Sequence, residues 1–122
     1  MDLINLGQTT LDVRLQFEDP MMAPPADLAV STNPFVLAPG SGWQHAVFSL
    51  NPSAFTAPFG SVTAALSKTT ALRIIHSAVA DEATSVIGVL GVDNIQAVPE
   101  PATFLLFGAG LGLCVFKRLR RA

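Results

Sequence analysis

The hydrophobic pattern changes period along the chain, and the change divides it. From Leu11 to Phe17 apolar and polar residues alternate strictly, with Leu11, Val13, Leu15 and Phe17 on one face and Asp12, Arg14 and Gln16 on the other. That period of two predicts a half-buried β-strand. A Gly40-Ser41-Gly42 turn leads into a second strand over 43–50, with Ala46, Phe48 and Leu50 on one face and Trp43, His45 and Val47 on the other, ended by Asn51-Pro52. Residues 71–76 give a third, with Leu72, Ile74 and His76 alternating against Arg73, Ile75 and Ser77. The run from Val86 to Val98 is rich in β formers, and Gly88 and Gly91 predict a bulge or bend within it.

The intervening segments read differently. Residues 18–41 contain five prolines, which predicts a long irregular connection holding short edge strands at Leu28–Val30 and Phe35–Leu37. A loop carrying Phe55, Pro58 and Phe59 follows the second strand. Ser61 is a helix N-cap by type, and Val62, Ala65 and Leu66 then share one face of a short helix reaching Lys68. Several strands, long connections and one short helix define a mainly β fold, an antiparallel β-sandwich.

Beyond residue 97 the alternation stops. An extended Val98-Pro99-Glu100-Pro101-Ala102-Thr103 segment precedes an uncharged apolar run from 104 to 116, containing Phe104, Leu105, Leu106, Phe107, Leu111, Leu113, Val115 and Phe116. Pro99 and Pro101 have no amide hydrogen and fix φ near −65°, so this segment joins no sheet and stays accessible. Pro101 suits the first position of a helix, and Glu100 stands near the positive end of its dipole. Lys117, Arg118, Arg120 and Arg121 close the chain within residues 117–122 and mark the cytoplasmic side under the positive-inside rule. The run predicts one C-terminal transmembrane helix. As a helix, residues 102–116 span roughly 22 Å against a hydrocarbon core of about 30 Å. Snorkelling cations and local thinning make up the difference. Eight apolar residues at roughly −0.3 to −0.6 kcal/mol each give about −4 kcal/mol, a marginal membrane segment. A soluble core helix of the same length is the other reading of this run.

Charge sharpens the division. The chain's net charge of −2 conceals nine carboxylates against Arg14, Lys68 and Arg73 in residues 1–100, a net −6, and four cations in the tail. An acidic body offers no basic patch to phosphates, which argues against a nucleic-acid partner. With Cys114 as its single cysteine, the sequence can form no internal disulfide, and that thiol, inside the apolar run, reads as a small hydrophobe. Gly108 and Gly112 are spaced to pack membrane helices, although Gly110 between them fits a helix that is simply rich in small residues.

The order Pro-Glu-Pro-Ala-Thr, short apolar segment, arginine-rich end resembles the PEP-CTERM sorting signal of bacterial exported proteins, over Val98 to Thr103 and the residues that follow. The resemblance implies export, retention in the inner membrane by this tail, and processing by an exosortase, a membrane transpeptidase-like enzyme. The final location it implies is the cell surface or an exopolysaccharide-rich matrix. On that reading the protein is a substrate of the processing enzyme and not itself an enzyme. Residues 1–97 form the body, 98–103 the motif, 104–116 the transmembrane helix and 117–122 the basic tail.

Residues 43–97, with their Trp-bearing strand, short helix, Leu72-Arg73-Ile74 strand and Val92-Asp93-Asn94-Ile95 end, resemble the C-terminal half of jelly-roll, galactose-binding-like domains. Only four strands stand out against the eight or so of a jelly roll, so the sandwich reads as incomplete. Met1 to Phe17 has neither a basic n-region nor an apolar h-region, so no secretory signal is read there. Both shortages lead to the expectation that further strands and a leader lie upstream.

Candidate chemistry in the body is sparse. Asp81, Glu82 and Asp93 supply hard oxygen donors around the last two strands, and a structural calcium is the one cofactor they suggest; a solvated acidic loop is the plain alternative. His45 and His76 have no metal-motif spacing and no nucleophile beside them. Trp43 can stack on a sugar ring, but with one Trp and no Tyr in the chain a packing role is the commoner one. The function expected is that of an exported surface or extracellular-matrix protein whose non-catalytic body is structural or a weak binder of carbohydrate. The alternatives are a permanently anchored single-pass protein and the C-terminal part of a sugar-acting enzyme.

Overall fold

The computed structural model describes residues 1–20 and 24–98. Its elements in order are β1 (Asp2–Asn5), β2 (Leu11–Asp19), β3 (Asp27–Ser31), β4 (Phe35–Leu37), β5 (Gln44–His45), a 3-10 turn (Pro52–Ala54), β6 (Phe55–Phe59), α1 (Val62–Ser67), β7 (Ala71–His76) and β8 (Leu90–Asp93). Every strand pairing is antiparallel. The fold is mainly β, as the alternation predicts.

β2 is the spine of the larger sheet. Val13 pairs with both His76 and Phe35, and Gln16 with both Arg73 and Val30. A strand has two edges, so β7 occupies one while β4 and β3 share the other in succession; β6 then pairs with β3. The smaller sheet has the order β5-β1-β8.

The two sheets share a core. Leu3 of β1 packs with Leu11 and Val13 of β2, Leu37 of β4 and Ala46, and Phe35, Phe48, Ile74 and Leu90 close around them. The apolar odd positions of β2 in the sequence pattern are therefore its core side. Further along the same face Leu15, Ala29, Phe55 and Ala65 form a second cluster, covered by Val62 and Leu66 of α1. Ser61 caps this helix, its Oγ accepting from the Ala64 N–H at 3.5 Å. Two fully buried alanines, Ala29 and Ala65, leave room for the helix to lie close to the sheet. Phe17 adds an edge-to-face contact with Phe55, ring centroids 5.4 Å apart.

Five sequence expectations are corrected. Within the connection predicted as irregular, β3 is a five-residue interior strand between β2 and β6, not an edge. The predicted loop at Phe55–Phe59 is β6; as the outer strand of its sheet it tolerates Pro58, which has no amide hydrogen to give. The strand predicted over 43–50 is paired only at Gln44–His45, with one further bond from the Ala46 N–H to the Met1 carbonyl at 2.8 Å. The β-rich run 86–98 is paired only at Leu90–Asp93. Four strands stand out in the sequence, whereas eight are formed among the described residues, β1 and β6 among those not predicted.

The polar face of β2 is also buried. Arg14 is 3% exposed, and Gln16 and Glu18 are equally enclosed. Arg14 donates from Nε to the Ser77 carbonyl (2.8 Å), from Nη1 to Ser31 (2.7 Å) and Thr32 (2.6 Å), and from Nη2 to Ala78 (3.2 Å). Four carbonyls from the ends of β3 and β7 thus close over one guanidinium. Burial lowers the pKa of Arg14, and the charge of Asp12 opposes that shift; an arginine stays charged regardless. Next along the face, Glu18 accepts from Arg73 Nε at 2.9 Å and from Gln16 Nε2. Leu28, Val30 and Ile75 fill the space between these groups.

Asn5 ties the two sheets together. Its Nδ2 donates to the Thr9 and Leu37 carbonyls at 2.8 and 3.0 Å, and its Oδ1 accepts from the Gly7 N–H at 2.9 Å. A side chain at position 7 would meet Val89 N at 3.0 Å, so glycine is needed for this close approach.

Arg14→Ala leaves the buried Ser31 and Ser77 carbonyls without this donor and is expected to destabilise the fold by about 3–5 kcal/mol. Arg14→Lys keeps the charge but not the fork and should recover only part of that loss. Urea unfolding of the three proteins, compared at constant m-value, measures both.

Candidate functional site

The smaller sheet turns Leu3 and Asn5 inward and Asp2 and Ile4 outward. Its register then fixes what shares the outer face. Asp2 stands between His45 and Asp93, and Ile4 beside Gly91. One residue further along the β1–β5 register, Trp43 falls beside Ile4. The outer face therefore carries a polar row, His45–Asp2–Asp93, next to an apolar one, Trp43–Ile4–Gly91.

Trp43 is 57% exposed. A Cβ built on Gly91 would lie 3.5 Å from Trp43 Cη2 and 2.5 Å from Ile4 Cγ2. Strands are about 4.8 Å apart, so an indole that starts on β5 and reaches β8 lies across β1 with Ile4 beneath it. Glycine at position 91 is what leaves the far end of the ring its place.

The polar row is a hydrogen-bonded network. Asp2 Oδ1 lies 2.7 Å from His45 Nδ1, and Asp2 Oδ2 accepts from Asn94 Nδ2 at 2.8 Å. Asn94 follows β8 with φ +53°, a left-handed conformation asparagine tolerates, and this turn brings its amide back over the sheet. The hydrogen bond from Asn94, and then that from His45, hold the Asp2 carboxyl below its ordinary 3.8. Asp2 is thus an ionised acceptor, so the His45 nitrogen facing it carries the proton and Nε2 is left to the solvent.

The remaining candidates are dispersed. Asp81 and Glu82 lie in the turn after β7, where the Glu82 N–H donates to Asp81 Oδ1 at 2.8 Å. Among the described residues no group of three or more His, Cys, Asp or Glu side chains is placed to hold a metal ion, so Asp81, Glu82 and Asp93 form no calcium cluster. His45 and His76 serve different partners, since His76 Nδ1 accepts the Asp12 N–H at 2.9 Å. That second histidine borders a cleft of about 170 Å³ whose other lining, including Leu11, Val13, Ile74 and Leu90, is apolar. The alternation over 43–47 places Trp43 and His45 on one face, but Asp2, Ile4, Gly91 and Asn94 carry no local signal; only the pairing of β1 with β5 and β8 brings them there.

The other candidate lies in the tail. Pro99 to Thr103, the predicted transmembrane helix over 104–116, Cys114, the Gly108/Gly112 pair and the four terminal cations all lie outside the described residues. Among the described residues no helix is long and apolar enough to cross a membrane. Residues 97–121 match the PEP-CTERM protein-sorting motif. The chain thus carries a protein-sorting signal after an antiparallel β body. No curated protein and no solved structure matches the chain, so the jelly-roll likeness of residues 43–97 has no structural neighbour behind it.

The Asp2 network fixes a pH dependence. A carboxyl whose folded pKa lies below its unfolded value stabilises the fold above the unfolded value and loses that contribution as pH falls through the folded one. The difference in thermal midpoint between the wild type and Asp2→Asn is therefore expected to hold steady above pH 3.8 and to shrink below it. Differential scanning calorimetry across that range checks the sign.

Proposed function

We propose that this is an exported protein whose C-terminal tail holds it in the bacterial inner membrane until an exosortase processes it. It then remains at the cell surface or in an exopolysaccharide-containing matrix. The observation that carries this reading is the sorting motif at residues 97–121. The charge distribution supports it: residues 1–100, of net −6, and a tail of four cations straddle one uncharged apolar run. The tail acts by position. Its cations stay on the cytoplasmic side, the apolar run halts export, and Pro99 and Pro101 present an extended, hydrogen-bond-poor segment to the processing enzyme.

The body then works by binding or by structure, not by catalysis. His45 and His76 are engaged with Asp2 and with the Asp12 backbone, and Glu18 pairs with Arg73. Ligand recognition falls to the outer face of the smaller sheet, where an aromatic ring and a polar network adjoin.

Glu100→Ala, expressed from the protein's own locus, is expected to leave membrane insertion intact and to abolish processing. Mass spectrometry of the mature chain decides the point, because an unchanged mature terminus would remove the basis for the exosortase reading. A chain that keeps its tail in the wild type would instead be a permanent single-pass anchor. Replacing Lys117, Arg118, Arg120 and Arg121 with serine should invert or scatter the orientation of the tail in a protease-accessibility assay, and normal topology there would refute the charge argument.

A further inference from the structure

We propose that the outer face of the smaller sheet is a binding site for a neutral pyranose, with Trp43 as its stacking platform and the Asp2–His45–Asn94 network taking the hydroxyls. This deepens the reading of the body as a surface binding domain and rests on it for its biological setting.

The platform is built, not incidental. The Trp43 ring reaches from β5 across β1 to the glycine gap at position 91, its Cη2 3.5 Å from where a Cβ there would stand, and the side chain is more than half exposed. The CH groups on one face of a pyranose are apolar and weakly positive, and they match the negative face of an aromatic ring.

The neighbouring row supplies what such a ring needs at its rim. Asp2, an ionised carboxylate, keeps lone pairs beyond those used by His45 and Asn94. His45 presents Nε2 as an acceptor when neutral, and Asn94 presents its Oδ1. One hydroxyl can therefore donate to Asp2 while its neighbour bonds the amide or the imidazole. Charge-assisted hydrogen bonds of this kind are about twice as strong as neutral ones. The same charges choose the sugar. Asp2 and Asp93 face each other across the β1–β8 ladder, so a uronic acid or a sulfated sugar would meet like charge.

The site is open and has a single ring, which sets its strength. A monosaccharide should bind with Kd of about 1 mM, and a polymer or a surface crowded with copies of the protein would gain by multivalency.

The full chain, held in a detergent without a sugar headgroup, allows a direct test. Trp43 is the only tryptophan, so intrinsic fluorescence reports this face alone. Methyl β-D-glucopyranoside and methyl β-D-galactopyranoside are the probes, with methyl β-D-glucuronide as the charged counterpart. A saturable fluorescence change with at least one neutral glycoside, absent with the glucuronide, is expected. By calorimetry, Trp43→Ala should abolish binding, Trp43→Phe should retain it, and Asp2→Asn should weaken it about tenfold. No saturable change with either neutral glycoside overturns the proposal. So does calorimetric binding that survives Trp43→Ala, or equal binding of the glucuronide. None of these outcomes touches the processing of the tail, which Glu100→Ala tests separately.

Discussion

The body is held together at one buried cation. Arg14 sits at the middle of the central strand and bonds to carbonyls following β3 and β7, strands that lie on opposite edges of β2. A charge that makes no ion pair is costly to bury, and a full set of acceptors offsets that cost. The five donors of a guanidinium in a fixed plane supply such a set from one side chain. Because the acceptors come from both flanks, the larger sheet closes over its own polar face, and the apolar face is left free to meet the smaller sheet.

That second contact is smaller and more directed. Leu3 inserts among Leu11, Val13 and Leu37, and Asn5, two residues on, bonds to the Leu37 carbonyl. Apolar burial supplies the attraction, at about 25 cal/mol per Å², but has no preferred direction. The buried amide provides direction, since it is satisfied only in one register. With β1 fixed in this way, β5 and β8 pair on either side of it, and the residues that alternate outward, Asp2 and Ile4, bring Trp43, His45, Gly91 and Asn94 together. The candidate site is thus a consequence of how one four-residue strand is anchored on its other face.

The two halves of the proposed function follow separate physics. The tail needs only order along the chain: an accessible proline segment, an apolar run, then cations. The body needs a folded surface. A protein released or tethered outside the cytoplasm profits from a stable, acidic β scaffold with a shallow recognition face, and weak contacts become effective when many copies meet one polymer.

The sequence alone determined what depends on local order. The alternation over 11–17, the Ser61 cap, the β7 strand and the sorting tail were all readable, because period, capping chemistry and the sequence of apolar and charged segments act between near neighbours. The same kind of alternation put Trp43 and His45 on one face of their strand. Tertiary structure alone decided the rest. β1 is four residues long and β6 contains a proline, so neither carries a strand signal of its own, and each forms because a partner strand offers hydrogen bonds. Arg14 and Gln16 look like solvent-facing residues in any local pattern, yet distant carbonyls and side chains enclose them. The ring over Gly91 joins residues almost fifty positions apart, and that proximity comes from register, which no local pattern encodes.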